Sequence, residues 1–263
     1  MIAIAPEEVA SLVRDAGLGE ASVVIEPAGA PGSGVRLCAD ALVYPASMIK
    51  LPIAMVLAAL CDARAYAWTD DVVIDATCVT PNDAPSPFVL GYRAELGEAM
   101  HAMLAASDNV ATNVLIDVLG RETLTAACAS FGLGATAVRR KLSGSLPLID
   151  DPAATGRNAH PAADAAHLLH TLARDTGPGA RPNRVYDALA AQIWNDKLSR
   201  GLAPGDTFVH KTGDTDEVSH DGGILTLPDG RRFVVVVYTS LPSSPETDAR
   251  YTAFMRALRP HFG

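Results

Sequence analysis

Short apolar runs of the kind that form β-strands lie near both ends of the chain. The first two flank the Gly/Pro-rich stretch 28–34, which predicts a hairpin, and the last two meet at Asp229-Gly230, a dipeptide typical of tight hairpin turns. The predicted strands cover residues 21–26, 35–39, 207–212, 222–227 and 232–238. The two ends of the chain therefore predict one sheet of antiparallel strands.

Segments with the helical spacing of apolar residues occupy most of the remaining sequence. The segment 47–61 is apolar on nearly every side, which is typical of a helix buried inside a domain, and Pro52 predicts an irregularity near its start. The stretch 139–160 has no clear period, and a loop of that length inside a compact domain is usually functional. The predicted helices cover residues 6–16, 47–61, 96–106, 109–119, 121–131, 161–175, 185–199 and 244–258.

This order of elements predicts an α/β (α+β) fold. An antiparallel β-sheet, flanked by helices, is built from both termini, and an all-α region is inserted between its strands. We expect the sheet domain to comprise residues 1–44 and 205–263, and the all-α domain, with the Ser47 helix, to comprise residues 45–204. A chain of 263 residues buries enough surface to need no disulfide or metal for stability.

Charge and composition exclude several classes of function. The formal net charge is −9 and no Lys/Arg-rich run occurs, so no nucleic-acid partner is expected. The four cysteines form no C-x-x-C pair and are expected to be reduced structural thiols. His167 and His170 share a predicted helix face, but nothing else with ligand spacing accompanies them, so we expect no metal and no other cofactor.

The N-terminal sequence and the lengths of the apolar runs bear on location. Residues 1–17 lack the basic start, the sustained apolar stretch and the cleavage site of a signal peptide. No apolar run reaches the roughly 20 residues that a membrane helix needs. We therefore expect a cytoplasmic protein without membrane association, or a periplasmic or secreted one if a leader has been removed. The sequence carries no signal for an oligomeric state.

Ser47 and Lys50 are the first candidates for chemistry. Their spacing of three residues places the hydroxyl and the amine on one face of a helix. Of the 21 basic residues only four are lysines, and a buried lysine can lose its proton whereas an arginine does not. The pair therefore indicates a nucleophile with a neighbouring base, although the spacing alone also fits a lysine whose stem lies along a buried helix end.

Two further motifs follow along the chain. Ser107-Asp108-Asn109 opens a predicted apolar helix, where all three residue types also favour helix capping. Lys211-Thr212-Gly213 ends a predicted strand, where it also fits a solvated strand end and a turn. Each motif has this structural explanation by itself, but the three in this order and on these elements indicate a catalytic site.

Together the motifs resemble the S-x-x-K, S-D-N and K-T-G signature of the class A β-lactamases and penicillin-binding proteins. The resemblance covers nearly the whole chain. YPASMIKLPI is similar to the nucleophile helix of that superfamily, and SDNVATNVLIDVLG is similar to its second motif and the helix that follows. FVHKTG, followed by GGILTLPDGRRFVVVVYTS, is similar to the strand that carries the K-T-G motif and to the hairpin after it. The superfamily's fold, a sheet domain built from both termini around an all-α region, agrees with the predicted order of elements.

The resemblance implies a role in proton transfer for four residues. Ser47 would be the nucleophile that forms an acyl-enzyme, and Lys50 would accept its proton. Ser107 would relay a proton to the leaving group. Lys211 would keep the site cationic and orient Ser107.

The resemblance also implies which residues bind the substrate. Asn109 would bind a substrate amide carbonyl. Thr212, next to Gly213 in the third motif, would offer its hydroxyl to a substrate carboxylate or a similar acceptor. The backbone N–H groups of Ser47 and Asp214 would form the oxyanion hole, in which each donor is typically worth about 10²–10³ in rate.

The chain departs from the class A β-lactamases in the loop after the second motif. Those enzymes carry there a glutamate that activates the deacylating water. No glutamate lies between Glu122 and Glu217, and only Asp150 and Asp151 offer carboxylates in the stretch RRKLSGSLPLIDDPAATGRNAHP. Because Asp-Asp-Pro also favours an ordinary turn, we expect poor turnover of β-lactams.

Charge near the third motif is a second departure. Class A enzymes usually have an arginine near this strand, whereas no lysine or arginine lies between Thr212 and Leu227. The acidic residues in that interval are Asp214, Asp216, Glu217 and Asp221. An acidic rim repels anions, so we expect a small-molecule substrate that is neutral or cationic near this strand. His220 falls near the expected arginine position and is either a substrate contact, a general base or an exposed strand-end histidine.

The sequence thus predicts a β-lactamase-like serine hydrolase that forms an acyl-enzyme on Ser47. Its substrate would be an amide, an ester or a lactam. A D,D-peptidase or transpeptidase and a true class A β-lactamase are the alternative enzymes. A catalytically dead binding protein on the same fold is the alternative that is not an enzyme.

Overall fold

The computed structural model describes residues 4–143, 156–177 and 181–263. The helices are α1 (Pro6–Asp15), α2 (Lys50–Asp62), α3 (Leu96–Ala105), α4 (Asn109–Leu119), α5 (Arg121–Ser130), α6 (Ala162–Asp175), α7 (Arg184–Ala190) and α8 (Pro245–Leu258). The strands are β1 (Ser22–Pro27), β2 (Val35–Leu37), β3 (Asp71–Val73), β4 (Arg93–Glu95), β5 (Thr207–Asp214), β6 (Ser219–Thr226) and β7 (Arg232–Thr239).

The chain divides into two compact units. The sheet unit comprises Met1–Met48, His160–Arg181 and Trp194–Gly263, and the helical unit comprises Ile49–Ala159 and Pro182–Ile193. These units differ from the predicted domains in three places, because residues 45–48, 160–181 and 194–204 were predicted in the all-α domain and belong to the sheet unit. The turn that carries Ser47 belongs to the sheet unit, and so does α6, because α6 packs on β1, β6 and β7.

The sheet unit is built on a five-stranded antiparallel sheet with the strand order β2-β1-β7-β6-β5. β1, from the N-terminal part of the chain, pairs along its length with β7 from the C-terminal part, so that Val24 lies opposite Val236. The predicted fold, with one antiparallel sheet built from both ends of the chain and flanked by helices, is therefore confirmed.

The unbroken apolar sequence of β7 follows from burial on both faces. Phe233, Val235 and Val237 belong to a buried cluster with residues of α1 and α8. Alternation along a strand turns Val234 and Val236 to the opposite face, and both are fully buried. On that side α6 contacts the sheet. A strand covered on both faces needs apolar residues at successive positions, which explains why its sequence does not alternate.

The helical unit contains α2, α3, α4, α5 and α7 together with a small sheet. α2 contacts α3, α4, α5 and α7, and all but the C-terminal part of it is buried. The small sheet pairs β3 with β4, with Val72 opposite Ala94. Sequence analysis did not predict this pair, because strands of three residues are too short to show a period.

The irregularity predicted near Pro52 takes the form of a change in helix type. Residues Ala46–Ile49 form a 3-10 turn, and α2 begins at Lys50. Pro52 is therefore the third residue of the α-helix, where a backbone N–H would have no partner within the helix. The missing donor thus causes no loss, and the proline is tolerated at this position.

The helix predicted over residues 185–199 is shorter in the structure. α7 begins after Asn183, whose side chain accepts hydrogen bonds from the backbone N–H groups of Val185 and Tyr186, and it ends at Ala190. Residues Leu198–Gly201 form a separate 3-10 turn. The interruption occurs where the chain passes from the helical unit to the sheet unit, between Ile193 and Trp194.

Two properties of the described residues concern membranes and disulfides. No helix in the described ranges is both long and apolar enough to cross a membrane. All four cysteines lie within those ranges, and no disulfide joins them. Cys78 and Cys128 are buried, whereas Cys38 is exposed.

A buried carboxylate fixes the hairpin of β1 and β2 in the sheet unit. Glu26 is fully buried and accepts hydrogen bonds from Arg36 Nε at 2.7 Å, from the backbone N–H of Gly32 at 2.8 Å and from His170 Nε2 at 2.7 Å. Burial alone would raise the pKa of Glu26. The hydrogen bonds, chiefly those of His170 and Arg36, outweigh it and lower the pKa to about 2.

We expect Glu26→Gln to destabilise the protein by about 3 kcal/mol at pH 7, because it removes one partner of a buried ion pair. The pKa of Glu26 is lowered on folding, so its stabilising effect is complete above about pH 4.5 and is lost as the pH falls toward 2. Urea unfolding measured between pH 2 and 7 should show this part of the pH dependence only in the unsubstituted protein.

The exposed carboxylate of Glu20 provides the control. Glu20→Gln should change the free energy of unfolding by less than about 0.5 kcal/mol, as surface substitutions usually do. Equal stabilities of the Glu26→Gln and Glu20→Gln variants at pH 7 would show that the buried network does not stabilise the fold.

Candidate active site

The four lysines of the chain all lie in its interior. Lys50 is 0% exposed, Lys141 9%, Lys197 3% and Lys211 1%. Moving an ammonium group out of water is costly unless the group is paired and hydrogen-bonded. Each lysine therefore marks a place where the protein has assembled acceptors around a buried amine, and two of the four belong to predicted motifs.

Lys50 brings the first two motifs together within the helical unit. Its Nζ donates to the backbone carbonyl of Ser107 at 2.6 Å, to Ser107 Oγ at 3.0 Å and to Asn109 Oδ1 at 2.8 Å. These three oxygen acceptors all come from the second motif. Lys50, Ser107 and Asn109 thus form one hydrogen-bonded cluster.

The backbone at Ser107 is shaped for this cluster. Ser107 has a φ of 58°, a left-handed conformation that is uncommon for residues other than glycine and costs about 1–3 kcal/mol. The next residue, Asp108, caps α4 by accepting the backbone N–H of Ala111 at 2.8 Å. Helix capping and the binding of Lys50 are therefore divided among the residues of one motif.

Ser47 lies in the 3-10 turn that precedes Lys50 along the chain. Ala46, immediately before it, has a φ of 45°, and the backbone N–H of Met48 donates to the carbonyl of Pro45 at 2.9 Å. Ser47 is half-buried, while both of its neighbours are buried. The tight turn thus leaves the serine as the accessible residue of the segment.

The third motif lies directly against this turn within the sheet unit. A Cβ atom at Gly213 would lie 2.9 Å from the carbonyl oxygen of Pro45 and 3.1 Å from the backbone nitrogen of Met48. Only glycine allows so close an approach of β5 to the Ser47 segment. Because alternate residues of a strand share a face, Lys211 points to the same side as that contact. Its Nζ donates to the carbonyl of Thr212 at 3.0 Å.

Thr212 belongs to the opposite face of β5, where it pairs with Asp221 of β6. Asp221 is fully buried and does not form part of an acidic rim. Its Oδ1 lies 2.7 Å from His210 Nδ1, and its Oδ2 accepts the backbone N–H of Leu198 at 3.1 Å. This corrects the sequence-based interpretation, which treated Asp221 as a charge facing an incoming substrate.

Asp214 also has a partner that the sequence did not reveal. Lys197 Nζ donates to both carboxylate oxygens of Asp214, each at 2.6 Å. Of the four acidic residues that were expected to form the rim, Asp214, Asp216 and Glu217 are exposed and Asp221 is buried. The rim is therefore less negative than the local sequence predicts, because a lysine 17 residues away in the chain neutralises part of it.

His220, a candidate substrate contact, lies fully inside the sheet unit. Its Nε2 lies 2.8 Å from the carbonyl of Tyr44, its Nδ1 accepts the backbone N–H of Thr239 at 3.3 Å, and its ring stacks on Tyr238. Burial lowers its pKa to about 4, although the hydrogen bond to Tyr44 opposes the shift. The neutral ring ties the segment before Ser47 to the sheet, and this positioning role replaces contact with solvent.

Asn113 is a polar residue of the helical unit that the sequence analysis missed. Its side-chain amide binds both backbone groups of Leu142: Nδ2 donates to the carbonyl at 2.8 Å, and Oδ1 accepts the N–H at 2.7 Å. Asn113 lies one helical turn beyond Asn109 on the same face of α4. That spacing of four within SDNVATN was the signal available in the sequence.

Lys141 lies near the start of the stretch 139–160, which the sequence predicted to be a loop, and its contacts fix that start. It forms an ion pair with Asp117 and donates to the carbonyl and hydroxyl oxygens of Thr77 at 3.2 and 3.0 Å. The described residues at the start of the stretch 139–160 are thus anchored to the helical unit. Asp150 and Asp151, the carboxylates that the sequence offered as possible bases, lie outside the described residues.

The two histidines that were predicted to share a helix face lie in different surroundings in the structure. His167 is exposed, whereas His170 is buried against Glu26. Within the part of the chain that the structure describes, no group of three or more histidine, cysteine, aspartate or glutamate residues is arranged to hold a metal ion.

Solved structures with the same fold include β-lactamases and PBP-A. A β-lactamase from Sphaerobacter thermophilus is 26% identical, with a TM-score of 0.79 and coverage of 98% of this chain and 98% of that chain. A leucine-to-glutamate mutant of PBP-A, described as an acyl-enzyme complex with penicillin G, is 24% identical, with a TM-score of 0.80 and coverage of 98% and 95%. An ancestral class A β-lactamase is 23% identical, with a TM-score of 0.81 and coverage of 97% and 98%.

Comparison of the sequence with a protein-family model also covers nearly the whole chain. No curated protein sequence matches the chain significantly. The sequence model of the beta-lactamase enzyme family matches residues 6–258, which is nearly the whole chain. The chain therefore belongs to the beta-lactamase enzyme family.

Proposed function

We propose that the protein is a serine hydrolase that is acylated on Ser47 by an amide, an ester or a lactam. The observation that carries the proposal is the Lys50 cluster, in which a fully buried amine contacts Ser107 Oγ and Asn109 Oδ1 three residues after a half-buried serine. A solvated lysine at a helix end would need no such set of acceptors. A buried amine hydrogen-bonded to a hydroxyl is suited to move protons.

In the acylation step Lys50 acts as a neutral amine, which has a lone pair: Ser47 Oγ attacks the carbonyl carbon of the substrate and its proton passes to Lys50 Nζ. The hydrogen bond from Lys50 Nζ to Ser107 Oγ provides a route along which a proton continues to the leaving nitrogen or oxygen. When the tetrahedral intermediate collapses, the bond to the leaving group breaks and the acyl group stays on Ser47. Lys50 and Ser107 end with the protons that they had at the start.

The third motif supplies binding and charge in this proposal. The approach of Gly213 to the Ser47 turn supports an oxyanion hole formed by the backbone N–H groups of Ser47 and Asp214. Lys211, on the same side of β5, would stabilise negative charge that develops there. Asn109 would bind the carbonyl of a substrate amide. Thr212 is buried on the face of β5 opposite the Ser47 turn, so the contact with the substrate that the sequence predicted for its hydroxyl is not part of this proposal.

Leu142 supports the proposal that deacylation is slow. Asn113 holds its backbone against α4, the helix that also carries Asn109 at its start. A carboxylate held there could activate a water, and leucine cannot. The same observation favours the second candidate function, a D,D-peptidase or transpeptidase, in which the acyl group is passed to an amine instead of to water.

We expect Lys50→Arg to lower the rate of Ser47 acylation by at least about 10²-fold, as completely as Lys50→Ala, because a guanidinium keeps its proton. The measurement is the rate of labelling by a fluorescent penicillin and by a fluorophosphonate, with the adduct located by mass spectrometry. Lys211→Arg should lose less, since that lysine is required mainly for its charge.

Thermal unfolding of each variant separates loss of chemistry from loss of fold. Near-native labelling of a folded Lys50→Arg variant would show that Lys50 is not the base. Labelling that is unchanged in Ser47→Ala, or an adduct on another residue alone, would remove Ser47 as the nucleophile.

We expect the acyl group of benzylpenicillin to persist on Ser47 for minutes or longer, and Leu142→Glu to shorten its lifetime by at least about tenfold. The lifetime can be followed by the intact mass of the protein after excess penicillin is removed. Leu142→Gln, which has nearly the same shape without a base, is the control and should leave the lifetime unchanged.

Rapid multiple-turnover hydrolysis of benzylpenicillin by the unsubstituted protein would contradict slow deacylation. It would mean that another group activates the water. Asp150→Asn and Asp151→Asn would then test the two carboxylates of that stretch of sequence as the base, whereas His220 is buried with both ring nitrogens bound to backbone groups and is no longer a candidate.

A further inference from the structure

A second serine, Ser199, lies within hydrogen-bond distance of a histidine in the sheet unit. Its Oγ is 3.0 Å from His210 Nε2, and the other ring nitrogen, Nδ1, is 2.7 Å from Asp221 Oδ1. The second carboxylate oxygen of Asp221 accepts the backbone N–H of Leu198 at 3.1 Å. A serine, a histidine and an aspartate are therefore connected in the order in which a nucleophile, a general base and an orienting carboxylate act in acyl transfer.

The contact with Asp221 determines which ring nitrogen of His210 can act as a base. An ionised carboxylate only accepts hydrogen bonds, so the proton of the neutral ring lies on Nδ1, where it is donated to Asp221. Nε2 then directs a lone pair toward the hydroxyl of Ser199 and can take its proton. Asn195 Oδ1 also lies 3.0 Å from Nε2, and it can accept the N–H bond that forms there once the proton has moved.

Close packing holds both the histidine and the serine in position. Gly223 of β6 lies opposite His210, and a Cβ atom there would be 2.5 Å from the Cβ of His210. Ser199 lies in a 3-10 turn that packs on α8, where a Cβ atom at Gly201 would be 2.6 Å from the Cβ of Met255. Glycine at these two positions thus allows the approach that brings the hydroxyl to the ring.

The Ser199 arrangement is separate from the Ser47 turn. Gly213 meets that turn, and because the faces of a strand alternate, His210 points to the opposite side of β5. Ser199 is half-buried and is followed by the exposed Arg200, whereas His210 is fully buried. Solvent therefore reaches the hydroxyl directly, while the base behind it is sheltered.

We propose that Ser199, His210 and Asp221 form a second acyl-transfer site, which cleaves small esters. A half-buried serine in front of a fully buried ring admits only a short acyl group. An ester suits the site better than an amide, because an alkoxide leaves a tetrahedral intermediate more readily than an amine does.

The reaction proceeds in two balanced steps. Ser199 Oγ forms a bond to the carbonyl carbon of the ester, and its proton passes to His210 Nε2. The bond to the leaving alkoxide then breaks, Nε2 returns the proton to that alkoxide, and the acyl group stays on Ser199. Water repeats the sequence and releases the acid, while Asp221 orients the ring throughout as a positioning residue.

The test uses the full chain with Ser47→Ala, so that the first candidate site contributes nothing. We expect diisopropyl fluorophosphate to label Ser199, with the adduct located by mass spectrometry, and p-nitrophenyl acetate to be hydrolysed. Adding Ser199→Ala or His210→Asn should lower the rate of hydrolysis by at least about 10²-fold. Ser11→Ala is the matched control and should change nothing, since Ser11 is also half-buried but its hydroxyl donates to the carboxylate of Asp15.

Two serines of one protein provide a comparison that does not depend on how the variants fold. In the Ser47→Ala protein, Ser199 should be labelled at least about 10²-fold faster than Ser11. Equal labelling of the two serines, or no adduct on Ser199, would overturn the proposal. So would undiminished labelling of Ser199 in a His210→Asn variant that thermal unfolding shows to be folded. All of these results are obtained without Ser47 and are therefore independent of its proposed acylation.

Discussion

The cost of burying an ammonium group is the constraint on which the polar interior of this protein depends. Lys50, Lys141, Lys197 and Lys211 are all buried, and each has hydrogen-bond acceptors from the protein. Removing a charge from water is unfavourable by several kcal/mol unless partners replace the solvent. The positions of carbonyls, hydroxyls and carboxylates around these amines are therefore requirements of folding as well as of chemistry. A polar group that serves Lys50 in the fold is already in place for a proton transfer.

Two of the four non-glycine residues with a positive φ in the described ranges lie at the same places. Ala46 precedes Ser47, the proposed nucleophile, and Ser107 supplies acceptors to Lys50. Gly213 meets the Pro45–Met48 turn without room for a side chain. Such positions persist only where the surrounding packing determines them, and such strain concentrates at functional sites. The division into compact units falls between Met48 and Ile49, inside the S-x-x-K motif, so one covalent helical run carries the serine of one unit and the lysine of the other.

The sequence identified those residues of the proposed site for which the chemistry limits the choice of residue type. Ser47, Lys50 and Ser107 stood out because a proton relay needs those residue types, and the strands were visible because burial on both faces leaves long apolar runs. The pairing of Lys197 with Asp214 could not be predicted, since nothing local relates a lysine before a strand to an aspartate at its end. For the same reason Asp221 was taken as a surface charge, although its partner His210 lies in the neighbouring strand.

The confinement of lysine to the interior also determines how the protein reacts with amine-selective reagents. All other basic residues are arginines, so no lysine side chain is offered at the surface to an acylating label. Modification of a lysine would require the unit around it to open. Lys50 and Lys141 would report on the helical unit, and Lys197 and Lys211 on the sheet unit. The same buried amines that organise the polar interior thus serve as built-in probes of local unfolding, two for each unit, without any engineered label.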